Sequence, residues 1–143
     1  VKLLGVSPSN PISVDVFNHR YVKLNHENMM ISGIVEGCAI LLFYNPFIKK
    51  WDISTNTGIS GNCTSECTST FRKMFIDSLK HTLDPGQHES DMDIGNIPFI
   101  RGLSTHYCFT VIIQHPDNHI NAYSSFPRIF ITCVFNIVGE HCR

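Results

Sequence analysis

Asn62-Cys63-Thr64-Ser65-Glu66-Cys67-Thr68-Ser69-Thr70-Phe71-Arg72-Lys73-Met74-Phe75-Ile76-Asp77-Ser78-Leu79 holds the clearest local signals in the chain. Phe71, Met74, Phe75, Ser78 and Leu79 fall at i, i+3, i+4, i+7 and i+8, while Arg72, Lys73 and Asp77 take the other side. That spacing predicts one main helix over about 69–81 with a buried stripe and a wet face. Ser69 or Thr70 can cap its first turn. Lys80 and His81 suit the negative end of its dipole, and Asp84-Pro85-Gly86 stops it. A helix this short is marginal in water, so it must pack on something.

The candidate partners are strands on either side. Cys38–Tyr44 is apolar at every position, which points to a strand covered on both faces in the middle of a sheet. In His106–Gln114, Phe109, Val111 and Ile113 alternate with Cys108, Thr110 and Ile112. Arg128–Val138 is the longest strand candidate. Ile12–Val16 alternates with period two, Met29–Val35 reads as a strand turning into Cys38–Tyr44 around Glu36-Gly37, and Phe47–Ile53 follows Asn45-Pro46. Lys49-Lys50-Trp51 reads as a solvated edge with an anchoring aromatic. Ser54–Gly61 is a polar loop, and Pro98 argues against a central strand over Ile97–Leu103. The expected fold is β-rich α+β, a β-sandwich-like domain of six to nine strands with one main helix.

A length of 143 residues fits a single domain, 1–143, able to bury one sizeable core. The composition, 43% hydrophobic and 16% charged, is that of a folded chain rather than a disordered one. A net charge of −1 gives no general attraction to nucleic acid, and no apolar run is long enough to span a bilayer. The chain begins at Val1, which fits either a processed chain or an excised domain.

Six cysteines (Cys38, Cys63, Cys67, Cys108, Cys133 and Cys142) are all disulfide candidates. The even count and the N-glycosylation pattern at Asn62-Cys63-Thr64 together predict a secreted, disulfide-stabilised glycoprotein. The spacing selects no connectivity.

Cysteine and histidine also invite a metal or nucleophile reading. Cys63-x3-Cys67 with His81 or His88, or His115-x3-His119, could supply zinc ligands, but no second tight cysteine pair completes such a site. Cys67 just before the helix, with His106 or His141, is the candidate for a reactive thiol in a small intracellular enzyme. No family signature surrounds it, so no catalytic residue, metal or cofactor is expected. His115-Pro116-Asp117 is the tripeptide of chaperone J-domains, but it follows a strand here instead of joining two helices. The densest local charge is acidic: Asp84, Glu89, Asp91 and Asp93 lie in a loop without aliphatic period. Such a run either stays solvated or steers a basic protein partner.

Cys67-x3-Phe71-Arg72-x2-Phe75-x3-Leu79, followed by a strand opening on Cys108-Phe109-Thr110-Val111-Ile112-Ile113, resembles the helix-then-strand core of secreted poxvirus immune-evasion domains. These include the chemokine-binding domain of viral tumour-necrosis-factor receptors. The likeness covers about a third of the chain. It implies a secreted β-sandwich that sequesters a host cytokine or chemokine without catalysis. Basic chemokines would suit Asp84, Glu89, Asp91 and Asp93 by charge. An oligomeric structural subunit, burying apolar strand faces between copies, is the remaining expectation.

Overall fold

A computed structural model of the chain describes residues 3–9, 12–21, 33–56, 58–62, 69–83, 93–118, 124–138 and 141–142. The sheet grows outward from β1 (Cys38–Asn45), which buries Cys38, Ile40 and Leu42 on one face and Phe43 on the other, while Ala39 is exposed and Leu41 half-buried. Antiparallel to it run β2 (Lys50–Thr55), through Leu42↔Ile53, and β4 (Tyr107–Gln114), through Ile40↔Val111. β5 (Arg128–Val138) extends the sheet beyond β4. The two-residue strands β3 (Gly58–Ile59) and β6 (His141–Cys142) finish the order β3-β2-β1-β4-β5-β6. The four-residue turn from β1 to β2 is closed by Asn45 Oδ1, which accepts from the Phe47 N–H at 3.0 Å, with Lys49 at φ 53°.

α2 (Phe71–Thr82) lies across one face of this sheet. Thr70 caps it, its hydroxyl oxygen accepting from the Lys73 N–H at 3.2 Å. The expected stripe Phe71, Met74, Phe75, Ser78 and Leu79 is buried, and Ile76 joins it. These side chains meet Ile40, Leu42, Ile53, Phe109, Val111, Ile113 and Ile129 in one core. A 3-10 turn (Ile94–Asn96) and the short α3 (Pro98–Arg101) add Ile94, Ile97 and Ile100. Pro98 stands at the start of α3, where its missing N–H costs nothing.

The opposite face carries Leu41, Phe43, Cys108 and Thr110, and Gly5 lies against Leu41 and Phe43. A Cβ placed on Gly5 would lie 2.9 Å from Leu41 Cδ2, so a glycine permits this close approach.

The β-rich α+β architecture agrees with the sequence; several details differ. Ile12–Val16 is not a strand: α1 (Val14–Tyr21) begins there. Ser13 opens that helix, its Oγ accepting from the Val16 N–H at 3.3 Å and its carbonyl from the Phe17 N–H at 2.9 Å. Asp15 in the first turn and His19 and Arg20 in the last suit the dipole. Three apolar residues in alternation, Ile12, Val14 and Val16, were too few to outweigh these end signals. Of Met29–Val35, residues 33–35 form no strand, and 29–32 lie outside the described residues. Ser54–Gly61 contains the end of β2 and β3 rather than only a loop.

Among the described residues there is one sheet with helices against it and no second sheet. No disulfide is present among them either. Cys38 belongs to the helix-side core, whereas Cys108 and Cys133 lie in register with Phe135 and Thr110 toward the other face. Cys63 and Cys67 lie outside the described residues, as does the side chain of Cys142. Asn62 is exposed directly after Gly61.

Candidate protein-binding surface

The helix layer stops short of the sheet edge. Strand register aligns Ile129, Ile131 and Val134 of β5 with Ile113, Val111 and Phe109, all on the helix-bearing face. Ile129 is buried there, yet Ile131 is 47% and Val134 53% exposed. A bulge lets residues three apart share this face. Thr110 pairs with Cys133 but Val111 pairs with Ile131, which leaves Thr132 as the extra residue. Its hydroxyl donates to the Thr110 carbonyl at 3.1 Å.

Leu83, which ends α2 by donating its N–H to the Leu79 carbonyl at 2.8 Å, is 42% exposed. Leu83 and Ile131 border the same small apolar void above Phe75 and Ile129, so they are neighbours. At the rim, the Phe126 ring stacks on His81 at 5.4 Å, with the Arg128 guanidinium 4.1 Å above its centroid. Beyond Ile137 and Val138, which pair with β6, no strand among the described residues takes the outer edge of β5. An apolar surface beside an open strand edge can receive another chain by packing and by backbone hydrogen bonds.

Of the four acidic candidates the structure describes one, Asp93. Asp84, Glu89 and Asp91 lie outside the described residues, although the sequence enters that run directly from Leu83. Asp93 is committed elsewhere. Its Oδ1 accepts from the Gly95 N–H at 3.0 Å, and its Oδ2 meets Lys50 Nζ at 2.9 Å. The lysine, above all by its hydrogen bond, holds this carboxyl below its ordinary pKa of 3.8. The pair forms one wall of a cleft of about 330 Å³. On another wall Asp52 accepts from the Ser60 hydroxyl at 2.9 Å and from its neighbour Ile53's N–H at 2.8 Å, with Arg72 at 3.9 Å. These contacts tie β2 to the 3-10 turn and to α2. Trp51 is buried alongside, as the anchoring reading expects. Asp93→Asn should therefore lower the melting temperature at neutral pH. A carboxyl with a depressed folded pKa contributes above its unfolded pKa and loses that contribution as pH falls through the folded one. Melting curves of the two proteins should accordingly converge below about pH 3.8.

A third cluster is buried where β4 ends. His115, 7% exposed, opens a turn closed by the Asn118 N–H donating to the His115 carbonyl at 2.9 Å. His115 Nδ1 accepts from the Asp117 N–H at 3.1 Å, which makes the neutral ring the Nε2–H tautomer. Nε2 faces Asp77 Oδ2 of α2 at 3.8 Å. The Ser69 hydroxyl donates to Asp117 Oδ2 at 2.5 Å, and Asn118 Nδ2 donates to Cys38 Sγ. The Ser69–Asp117, Asn118–Cys38 and His115–Asp77 contacts each join one element to another, so the cluster stitches the start of β1 and the α2 segment to the end of β4. Among the described residues no three His, Cys, Asp or Glu side chains converge as metal ligands. The thiol candidate Cys67 lies outside them, and His106 is exposed at the start of β4.

Sequence reasoning missed the exposed Ile131–Val134 surface because a two-faced apolar strand reads as buried throughout. Ile131 and Val134 pair with buried Val111 and Phe109, so their exposure follows from the place of β5 beyond β4, away from the helix layer. No family model matches the chain, and the searches of curated proteins and of solved structures found no similar protein.

Proposed function

We propose that this chain is a secreted, non-catalytic domain that binds another protein, sequestering a basic cytokine or chemokine. The observation that carries the reading is the exposed Leu83–Ile131–Val134 surface at the uncovered end of the sheet. An apolar centre of this kind, bordered by aromatic and charged side chains, has the make-up of a protein interface core. The acidic run Asp84, Glu89 and Asp91, which follows Leu83 in sequence, supplies attraction to a basic partner. The likeness of the Cys67–Leu79 and Cys108–Ile113 segments to poxvirus immune-evasion domains supports the same class of partner. In this reading Asn62 carries a glycan, and one disulfide forms among Cys63, Cys67 and Cys142.

The test is a panel of basic chemokines and cytokines passed over the immobilised chain at low and high salt. The reading expects at least one saturable binder whose affinity falls with salt, because exposed charges are screened over about 8–10 Å at physiological ionic strength. No binder across the panel, or salt-independent binding unchanged by neutralising Asp84, Glu89 and Asp91, contradicts it. The open outer edge of β5 also favours a second reading, a subunit that pairs with copies of itself. Sizing by sedimentation separates the two: the binding domain runs as a monomer at concentrations where a structural subunit would assemble.

A further inference from the structure

We propose that the His115–Asn118 turn is an acid-sensitive latch, in which the Asp117 carboxylate exchanges Ser69 for protonated His115 and so releases the start of α2. The geometry sets two exclusive arrangements. At neutral pH Nδ1 of His115 is an acceptor and receives the Asp117 N–H. A proton on Nδ1 would set two donors face to face, so the turn must move. An acceptor for the new N–H is Asp117 Oδ2, 3.9 Å away, the same atom that accepts from the Ser69 hydroxyl. Closing that 3.9 Å gap to hydrogen-bond distance moves the carboxylate, and the movement draws Oδ2 away from Ser69.

Ser69 directly precedes the cap residue Thr70, and Asn118, next to Asp117, donates to Cys38 at the start of β1. Movement of this turn thus reaches α2 and β1 together. Four charged groups bear on the ring. Asp77 and Asp117 favour the imidazolium; Lys73 on α2 opposes it, and Lys80 partly occupies Asp77 at 3.9 Å. Burial is the largest influence and opposes the charge, holding the folded His115 below its ordinary pKa of 6.5. A histidine kept neutral in the closed state and ordinary in the released state keeps the latch shut above about pH 6.5. Opening then grows roughly tenfold per pH unit below that value, until the folded pKa is reached.

The experiment is amide hydrogen exchange between pH 7.5 and 5, corrected for intrinsic rates, on the full chain. The expected result is protection at Asp117, Asn118 and Met74 that falls roughly tenfold per pH unit below about 6.5. Leu83, at the far end of α2, serves as the reference. His115→Asn places an amide oxygen where Nδ1 accepts but cannot titrate, so it should flatten this profile. Ser69→Ala removes the competing partner of Asp117 and should move the midpoint upward; it provides the test should His115→Asn fold poorly. Protection independent of pH in the native protein, a transition that persists in His115→Asn, or an unmoved midpoint in Ser69→Ala overturns the proposal.

Discussion

Phe75→Ala is expected to cost about 3–5 kcal/mol, the largest loss of stability from any single truncation considered. Phe75 lies at the middle of the α2 stripe with no solvent exposure, amid Leu42, Leu79, Phe99, Phe109, Val111 and Ile129. The site already borders a small apolar void of about 10 Å³, and strands on one side and helix on the other limit collapse. Total stabilities of about 5–15 kcal/mol make this about a fifth or more of the margin. Urea unfolding should show the midpoint falling with the slope unchanged. Lys73→Ala, on the wet face of the same helix, should shift it by no more than about 0.5 kcal/mol. Equal effects for the two would mean α2 does not pack on the sheet as described.

The second large effect concerns binding. Ile131→Lys with Val134→Lys is expected to weaken a basic partner about 100-fold or more, since central apolar anchors carry most interface energy and the new charges repel the partner. Both positions are about half exposed, and lysine is a usual guard of strand edges, so the melting temperature should barely move. Calorimetric titration beside a thermal melt separates the two quantities. Lost affinity with an unchanged melt supports the docking surface, and unchanged affinity argues against it.

Much of the scaffold was legible from residue order alone. The α2 stripe, its cap, the two-faced β1 and the alternation of β4 each state a local preference that agrees with the tertiary structure. α1 was not legible, because Ile12–Val16 alternates as a strand would, while Ser13 favours a helix start. The exposed part of β5 escaped for another reason. Whether Ile131 is covered depends on how far α2 reaches across the sheet, which no pattern within β5 encodes. The His115 cluster draws on residues 38, 69, 77 and 115–118, so only the fold brings it together. Asp93 counted among the acidic binding candidates until its pairing with Lys50 and Gly95 gave it a structural task.

The docking surface is tested most directly by photo-crosslinking to the tightest basic binder of the panel. A benzophenone side chain would replace Val134 in one protein, Ile59 in a second and Phe47 in a third, all three positions being exposed and apolar. The account predicts a covalent adduct from position 134 that is competed away by unlabelled chain, and none from 59 or 47. Adducts from 59 or 47 with none from 134 would contradict it.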